Sequence, residues 1–136
     1  MRHLLIIAAI LAGTCSVSAA EIDFGKPLIA LNGKPYMDCV EVDQSVNPPR
    51  CSKTEPLTLG RMVSTVLNVR DPHEQMKLEE IVRRGTLAQK VYAGGKIDLP
   101  AEDVALIKAQ LAKAAFSPLE VTAAVQILDP VSAKGK

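Results

Sequence analysis

Between residues 57 and 128 the apolar positions of this chain recur every three or four residues; before that they fall in short, interrupted runs. The first pattern belongs to amphipathic helices, each with one stripe turned toward a core. Leu59, Met62, Val63, Val66 and Leu67 make one stripe, with Thr58 placed to cap it. Asp71-Pro72-His73-Glu74 has the form of a helix start: an Asp cap, Pro at the first position, and Glu completing a capping box. It predicts a second helix to about Ala93, with Leu78, Ile81, Val82, Ala88, Val91 and Tyr92 on its apolar side. Gly94-Gly95 ends it, and Gly85 weakens its middle by about 1 kcal/mol relative to Ala. After a short extended link, Lys96-Ile-Asp-Leu99, Pro100 opens a third helix striped by Val104, Ile107, Leu111 and Ala114. Glu102 and Asp103 favour its positive N-terminal end. Ser117-Pro118-Leu119-Glu120 is a capping box for a fourth helix, with Val121, Ala124, Val125 and Leu128 inward and Asp129-Pro130 as its stop.

The earlier half reads differently. Asn32-Gly33 lies between two short apolar runs, the strongest local hairpin signal, because both turn residues must accept positive φ. Pro27 and Pro35 keep that ribbon short and edge-like. Residues 21–26 read as a loose arm, and residues 38–54 as an irregular polar loop around Asn47-Pro48-Pro49. The fold predicted is therefore mainly α: a short N-terminal β-hairpin followed by a compact four-helix domain. Residues 21–54 would hold the hairpin and loop, 55–130 the helices, and 131–136 a flexible tail.

Residues 1–20 stand apart. Met1-Arg2-His3 is a short positive start, residues 4–12 are unbroken apolar, and residues 13–20 are small and mildly polar, ending Ser18-Ala19-Ala20. That is the layout of a secretory signal peptide cleaved after Ala20, with Ala19 as the alternative cut. The apolar run is far shorter than the about 20 residues of a membrane-spanning helix. A lipid anchor at Cys15 fits poorly with Ala12-Gly13-Thr14 before it. The expected location is the periplasm or the exterior, with no stable membrane insertion after cleavage.

Export changes the reading of the cysteines. Of three, Cys15 leaves with the leader, and Cys39 and Cys51 remain. In an oxidising compartment two remaining cysteines most often pair. A loop of this size gains roughly 3 kcal/mol from closure in the chain-entropy model. A redox couple would favour Cys-x-x-Cys at a helix start, and a zinc site would need more ligands than His73 can add.

Charge narrows the partners. The chain has 16 Lys and Arg against 15 Asp and Glu, and loss of Arg2 with the leader balances them. A nucleic-acid binder carries a basic excess, so nucleic acid is not an expected partner. No catalytic constellation stands out, and neither metal nor cofactor is expected. His73 is the one histidine outside the leader and sits in a predicted first helical turn. Glu79-Glu80 and Glu102-Asp103 are adjacent pairs, which diverge on a helix, while the basic stretch Arg83-Arg84 with Lys77 and Lys90 lies within helical reach of Glu74, Glu79 and Glu80, which neutralise much of it. Gly95-Lys-Ile-Asp98 echoes part of a calcium loop, but its early ligand positions would fall on Lys90, Tyr92 and Gly94.

The order of motifs has a parallel. Leu31-Asn-Gly-Lys-Pro35, Pro56-Leu-Thr-Leu-Gly60, Leu87-Ala-Gln-Lys-Val-Tyr92, Glu102-Asp-Val-Ala-Leu-Ile-Lys108 and Pro118-Leu119 follow one another. This resembles a family of small phage and prophage proteins without an assigned biochemical activity. The resemblance runs over roughly residues 28–128, apart from an insert at 37–53. It implies a mostly helical fold and a phage origin, and it carries over no catalytic residue. The leader and the cysteine-bounded insert depart from that pattern.

These readings converge on an exported small helical interaction protein of prophage origin, not an enzyme, that binds or inhibits an envelope partner. Asn47, Pro48, Pro49 and Arg50, between the cysteines, are the candidate contact residues, since a constrained Pro-rich loop loses less entropy on binding. Two alternatives are a small cell-wall-acting hydrolase, whose carboxylates tertiary structure would bring together, and a self-associating structural module with exposed apolar stripes.

Overall fold

A computed structural model describes residues 20–129. The expected leader, Ala20 apart, and the expected tail lie outside them. In chain order the elements are β1 (Ala20–Asp23), β2 (Met37–Asp43), β3 (Arg50–Pro56), α1 (Leu59–Asn68), α2 (Leu78–Tyr92), β4 (Lys96–Leu99), α3 (Ala101–Lys113) and α4 (Pro118–Leu128).

The predicted hairpin-plus-bundle is not what forms. The described residues hold four helices with two separate two-stranded sheets, and strands lie in the middle of the chain. β1 pairs antiparallel with β4, setting Ile22 opposite Ile97 and Asp23 opposite Lys96. Glu-Ile-Asp-Phe and Lys-Ile-Asp-Leu share one alternation of charged and apolar residues, so each presents one apolar face. The segment expected to be a loose arm is thus a core strand: Ile22 and Phe24 are among the most deeply buried side chains. The link at 96–99 is its partner strand.

The Asn32-Gly33 turn does form. Gly33 has φ +77°, its N–H donates to the Ala30 carbonyl (2.9 Å), and Ala30 N–H donates to Lys34 (2.8 Å). Its arms make only one isolated bridge, Ile29 with Pro35, because Pro27 and Pro35 have no N–H to offer. The true hairpin is β2–β3, built from the stretch expected to be a loop.

Each helix shows a local reason for its bounds. Thr58 caps α1 by accepting from Arg61 N–H (3.4 Å). Ser117 and Glu120 form the expected capping box of α4, with Pro118 in its first turn. Gly94 and Gly95, at φ +75° and +80°, end the α2 region. The predicted start of α2 is wrong. Asp71 accepts from His73 N–H (2.8 Å) and from Glu74 N–H through its carbonyl (3.0 Å), which makes one isolated turn. The helix begins only at Leu78, and Glu74 lies 3.6 Å from Arg84 instead of reaching back to the cap.

The core gathers Ile22, Phe24, Leu28, all of the α1 stripe, Leu87, Val91, Leu99, Ile107, Leu111 and Leu128. α1 lies against α2 and α3, while α4 packs on α3 and reaches β1. At the centre, Gly60 in the first turn of α1 approaches two other backbones. Its N–H donates to the Phe24 carbonyl (2.8 Å), and Leu59 N–H donates to Lys26 (3.0 Å). Two donors left over at the helix start are thereby satisfied by main chain. A Cβ on Gly60 would stand 2.3 Å from the Val91 carbonyl oxygen and 3.0 Å from that of Phe24.

Gly60→Ala is expected to cost more than about 2 kcal/mol, since backbone must move to admit the methyl. Gly85→Ala, where a Cβ meets nothing within 4 Å, is expected to stabilise by about 0.5–1 kcal/mol. Urea denaturation in dilute solution reads the two opposite signs.

Candidate functional site: a disulfide-closed ribbon

Cys39 and Cys51 stand at disulfide distance, with an S–S separation of 2.11 Å and a Cα–Cα separation of 5.8 Å. The Cα separation falls within the usual range for a bridge. The bond joins β2 to β3 across their ladder, where the register shifts between Cys39 and Val42. Sequence spacing anticipated the pairing of residues but not the strands. Both faces of the ribbon are largely exposed, β3 is polar, and the alternation in β2 is broken by the register shift, so the pattern did not announce a hairpin.

The ribbon is anchored at its base and free at its tip. Arg61 on α1 reaches Asp38 on β2 (3.1 Å) and Glu55 on β3 (3.5 Å), so one guanidinium clamps both strands. Lys53 lies between Glu55 (3.0 Å) and Glu41 (3.8 Å) along the same surface. These pairs are partly solvated, so each contributes at most about 1 kcal/mol. Toward the tip, Asp43 pairs with Arg50 in the ladder. Its carboxylate accepts from the Ser45 hydroxyl (2.6 Å) and the Ser45 N–H (2.9 Å), which holds the Asp43 carboxyl below its ordinary value. Asn47, Pro48, Pro49 and Arg50, the residues singled out from sequence, are together at this tip and exposed; the Asn47–Pro48 peptide is cis. Met37, Val42 and Val46 add exposed apolar side chains along the ribbon. As a sheet of two strands, it also leaves an unpaired backbone edge on each side.

The other residues weighed from sequence are placed as follows. His73 is exposed in the turn before α2. Glu102 and Asp103 do not diverge; both approach Arg83, at 3.8 and 2.7 Å. Among the described residues no cluster of metal-ligating side chains occurs, and no helix is long and apolar enough to cross a membrane.

Sequence reasoning missed one polar centre. Arg84 is only 3% exposed, and it pairs with Glu80 (2.6 Å) and Glu74 (3.6 Å) and donates to Gln110 Oε1 on α3 (3.3 Å). A buried guanidinium requires such partners; helical reach to Glu74 and Glu80 was legible in the sequence, while the burial of Arg84 and its contact with Gln110 were not. Of the expected apolar side of α2, Ala88 and Val91 do face the core, joined there by Arg84 and Leu87. Leu78, Val82 and Tyr92, assigned to the apolar side, are exposed. Beside this centre a cavity of about 290 Å³ is lined by Val66, Arg70, Asp71, Glu74, Gln110 and Lys113. It does hold two carboxylates. Glu74 faces Arg84 and Lys113 (4.0 Å), and Asp71 accepts from His73 N–H (2.8 Å).

No protein-family model matches the chain, and no curated protein or solved structure compared with it gives a match.

Two measurements probe the ribbon. In a Cys39→Ser/Cys51→Ser variant the helical circular dichroism is expected to persist, while amides of residues 38–54 exchange with solvent far faster. Loss of the helical signal would contradict a bridge confined to the ribbon. The lowered Asp43 pKa gives a sign for acid. Its contribution to the turn is complete above the ordinary value of 3.8 and disappears as pH falls through the lower folded value. The Ser45 amide resonance in an acid titration reads that change.

Proposed function

We propose that this chain is an exported binding module whose disulfide-closed ribbon contacts a protein of the cell envelope, where it binds or inhibits that partner. The ribbon carries the reading. It is stapled, exposed on both faces, clamped to the helical body at one end by Arg61, and free at the Asn47–Arg50 tip. A pre-closed loop loses less entropy on binding, and open strand edges offer main-chain hydrogen bonds to an extended partner segment.

Export rests on the leader-like residues 1–20, and a disulfide suits an oxidising compartment. A cut after Ala20 would leave Glu21, Ile22 and Asp23 of β1 to pair with Asp98, Ile97 and Lys96. A prophage origin rests on the motif order alone. An enzymatic role has less support, since Asp71 and Glu74 in the cavity are already engaged.

A photo-cross-linking residue at Val46 is expected to capture an envelope protein in periplasm, and one at Glu120 on α4 is not. Capture should weaken in the Cys39→Ser/Cys51→Ser variant. Recovery of uncross-linked monomer from the Val46 position, under conditions where the leader is cleaved, would sink the proposal.

A further inference from the structure

One face of α2 is turned to the core; beside it runs a second, outward line of apolar side chains. Leu78, Val82 and Tyr92 are 75%, 58% and 63% exposed. With Gly85 and Gln89 they follow spacings of four and three residues, which sets them in one line about 21 Å long. Gly85 sits at the middle of that line, and above its missing side chain there is nothing within 4 Å. Glycine in a helix interior weakens the helix, and here no neighbour within the chain requires it. A small residue at the centre of an exposed face lets a second helix approach closely.

The line is also self-complementary. Leu78 and Tyr92 are equally far from Gly85 on opposite sides, and Val82 and Gln89 nearly so. Glu79 and Lys90 flank the line on the same side, again almost equidistant from Gly85. Both are exposed, and among the described residues neither is in an ion pair, whereas Arg83, Arg84 and Glu80 on this helix all are. Turning a copy of α2 by 180° about an axis through Gly85 sets Leu78 over Tyr92, Val82 over Gln89, and Glu79 beside Lys90, twice over. A two-fold interface needs a patch complementary to itself, and this one is.

We propose that two copies of this chain associate through the outer faces of α2, antiparallel about a two-fold axis at Gly85. The apolar ends supply buried area, Gly85 the close approach, and the paired Glu79 and Lys90 the direction. Association of this kind is independent of the ribbon and would place two ribbons on one assembly.

Sedimentation of the disulfide-bonded protein purified from cells, over roughly 1–200 µM, tests the pairing. A monomer–dimer equilibrium is expected. Gly85→Gln, whose Cβ meets nothing within 4 Å in its own chain, should leave the helical circular dichroism unchanged and give a monomer throughout. Lys90→Glu should weaken the dimer about tenfold, since two attractive pairs become repulsive. Adding Glu79→Lys to that variant should recover it, because the reversed pair is again complementary. A monomeric wild-type protein at the highest concentration would overturn the proposal. So would a dimer that Gly85→Gln leaves intact, or charge variants whose affinities do not alternate in this way.

Discussion

The structure depends on three backbones meeting at one glycine. At Gly60 the first turn of α1 touches the carbonyl of Phe24, which follows β1, and that of Val91, near the end of α2. Because main chain meets main chain, the distance between these segments is set by covalent geometry and cannot be relaxed by a rotamer change. The consequences spread outward. Phe24 N–H donates to the Gly95 carbonyl (2.8 Å), so the turn after α2 is tied to the same point. That turn delivers β4 alongside β1, and β4 leads directly into α3. The aliphatic core fills the space this arrangement leaves, with Phe24 as its one fully buried aromatic.

The ribbon stands outside that system. Its disulfide, its ladder and its turn hydrogen bonds lie within residues 37–56, and Arg61 is its charged link to α1. A covalent bridge is most useful where hydrophobic burial cannot hold two strands together, and a two-stranded ribbon exposed on both faces is such a place. Stability of the body and shape of the ribbon therefore rest on separate interactions. Substitutions at the tip can vary without touching Gly60 or Phe24.

What the sequence disclosed follows from the range of the interactions involved. The α1 stripe, the Ser117 capping box, the Gly94-Gly95 stop and the cysteine pair are local or compositional, and all were legible. β1 and β4 carry readable alternation, but each has four residues and its partner lies far away in sequence. A two-residue period that short is lost beside a neighbouring helix signal. The β2–β3 ribbon left only a weak signal: β2 alternates in two short pieces broken at the Cys39–Val42 register shift, β3 is polar, and neither face is deeply buried. Asp71-Pro72-His73-Glu74 satisfied the local rules for a helix start and still formed only a turn, with the Glu74 carboxylate 3.6 Å from buried Arg84 rather than back at the cap. The candidate site was half legible in the same sense. Asn47, Pro48, Pro49 and Arg50 were found by composition, and the Arg61 clamp beneath them could not be, since it depends on how α1 meets the ribbon.

The rotation of α2 carries the argument furthest. Its sequence contains two apolar lines, one through Leu78, Val82 and Tyr92 and one through Leu87, Ala88 and Val91, and a single core can take only one. Hydrophobicity alone favours the first, since the second shares its face with an arginine. The second wins because Arg84 brings its own partners: Glu80 on the same helix, Glu74 from the preceding turn and Gln110 from α3. A desolvated guanidinium without partners is costly, so rotations that would part buried Arg84 from them are disfavoured. The outer line is then left facing solvent with a glycine at its centre. Local choices elsewhere in this chain agree with the fold; a helix-weakening residue amid exposed apolar side chains does not. Such a conflict has a physical rationale when another helix occupies that face.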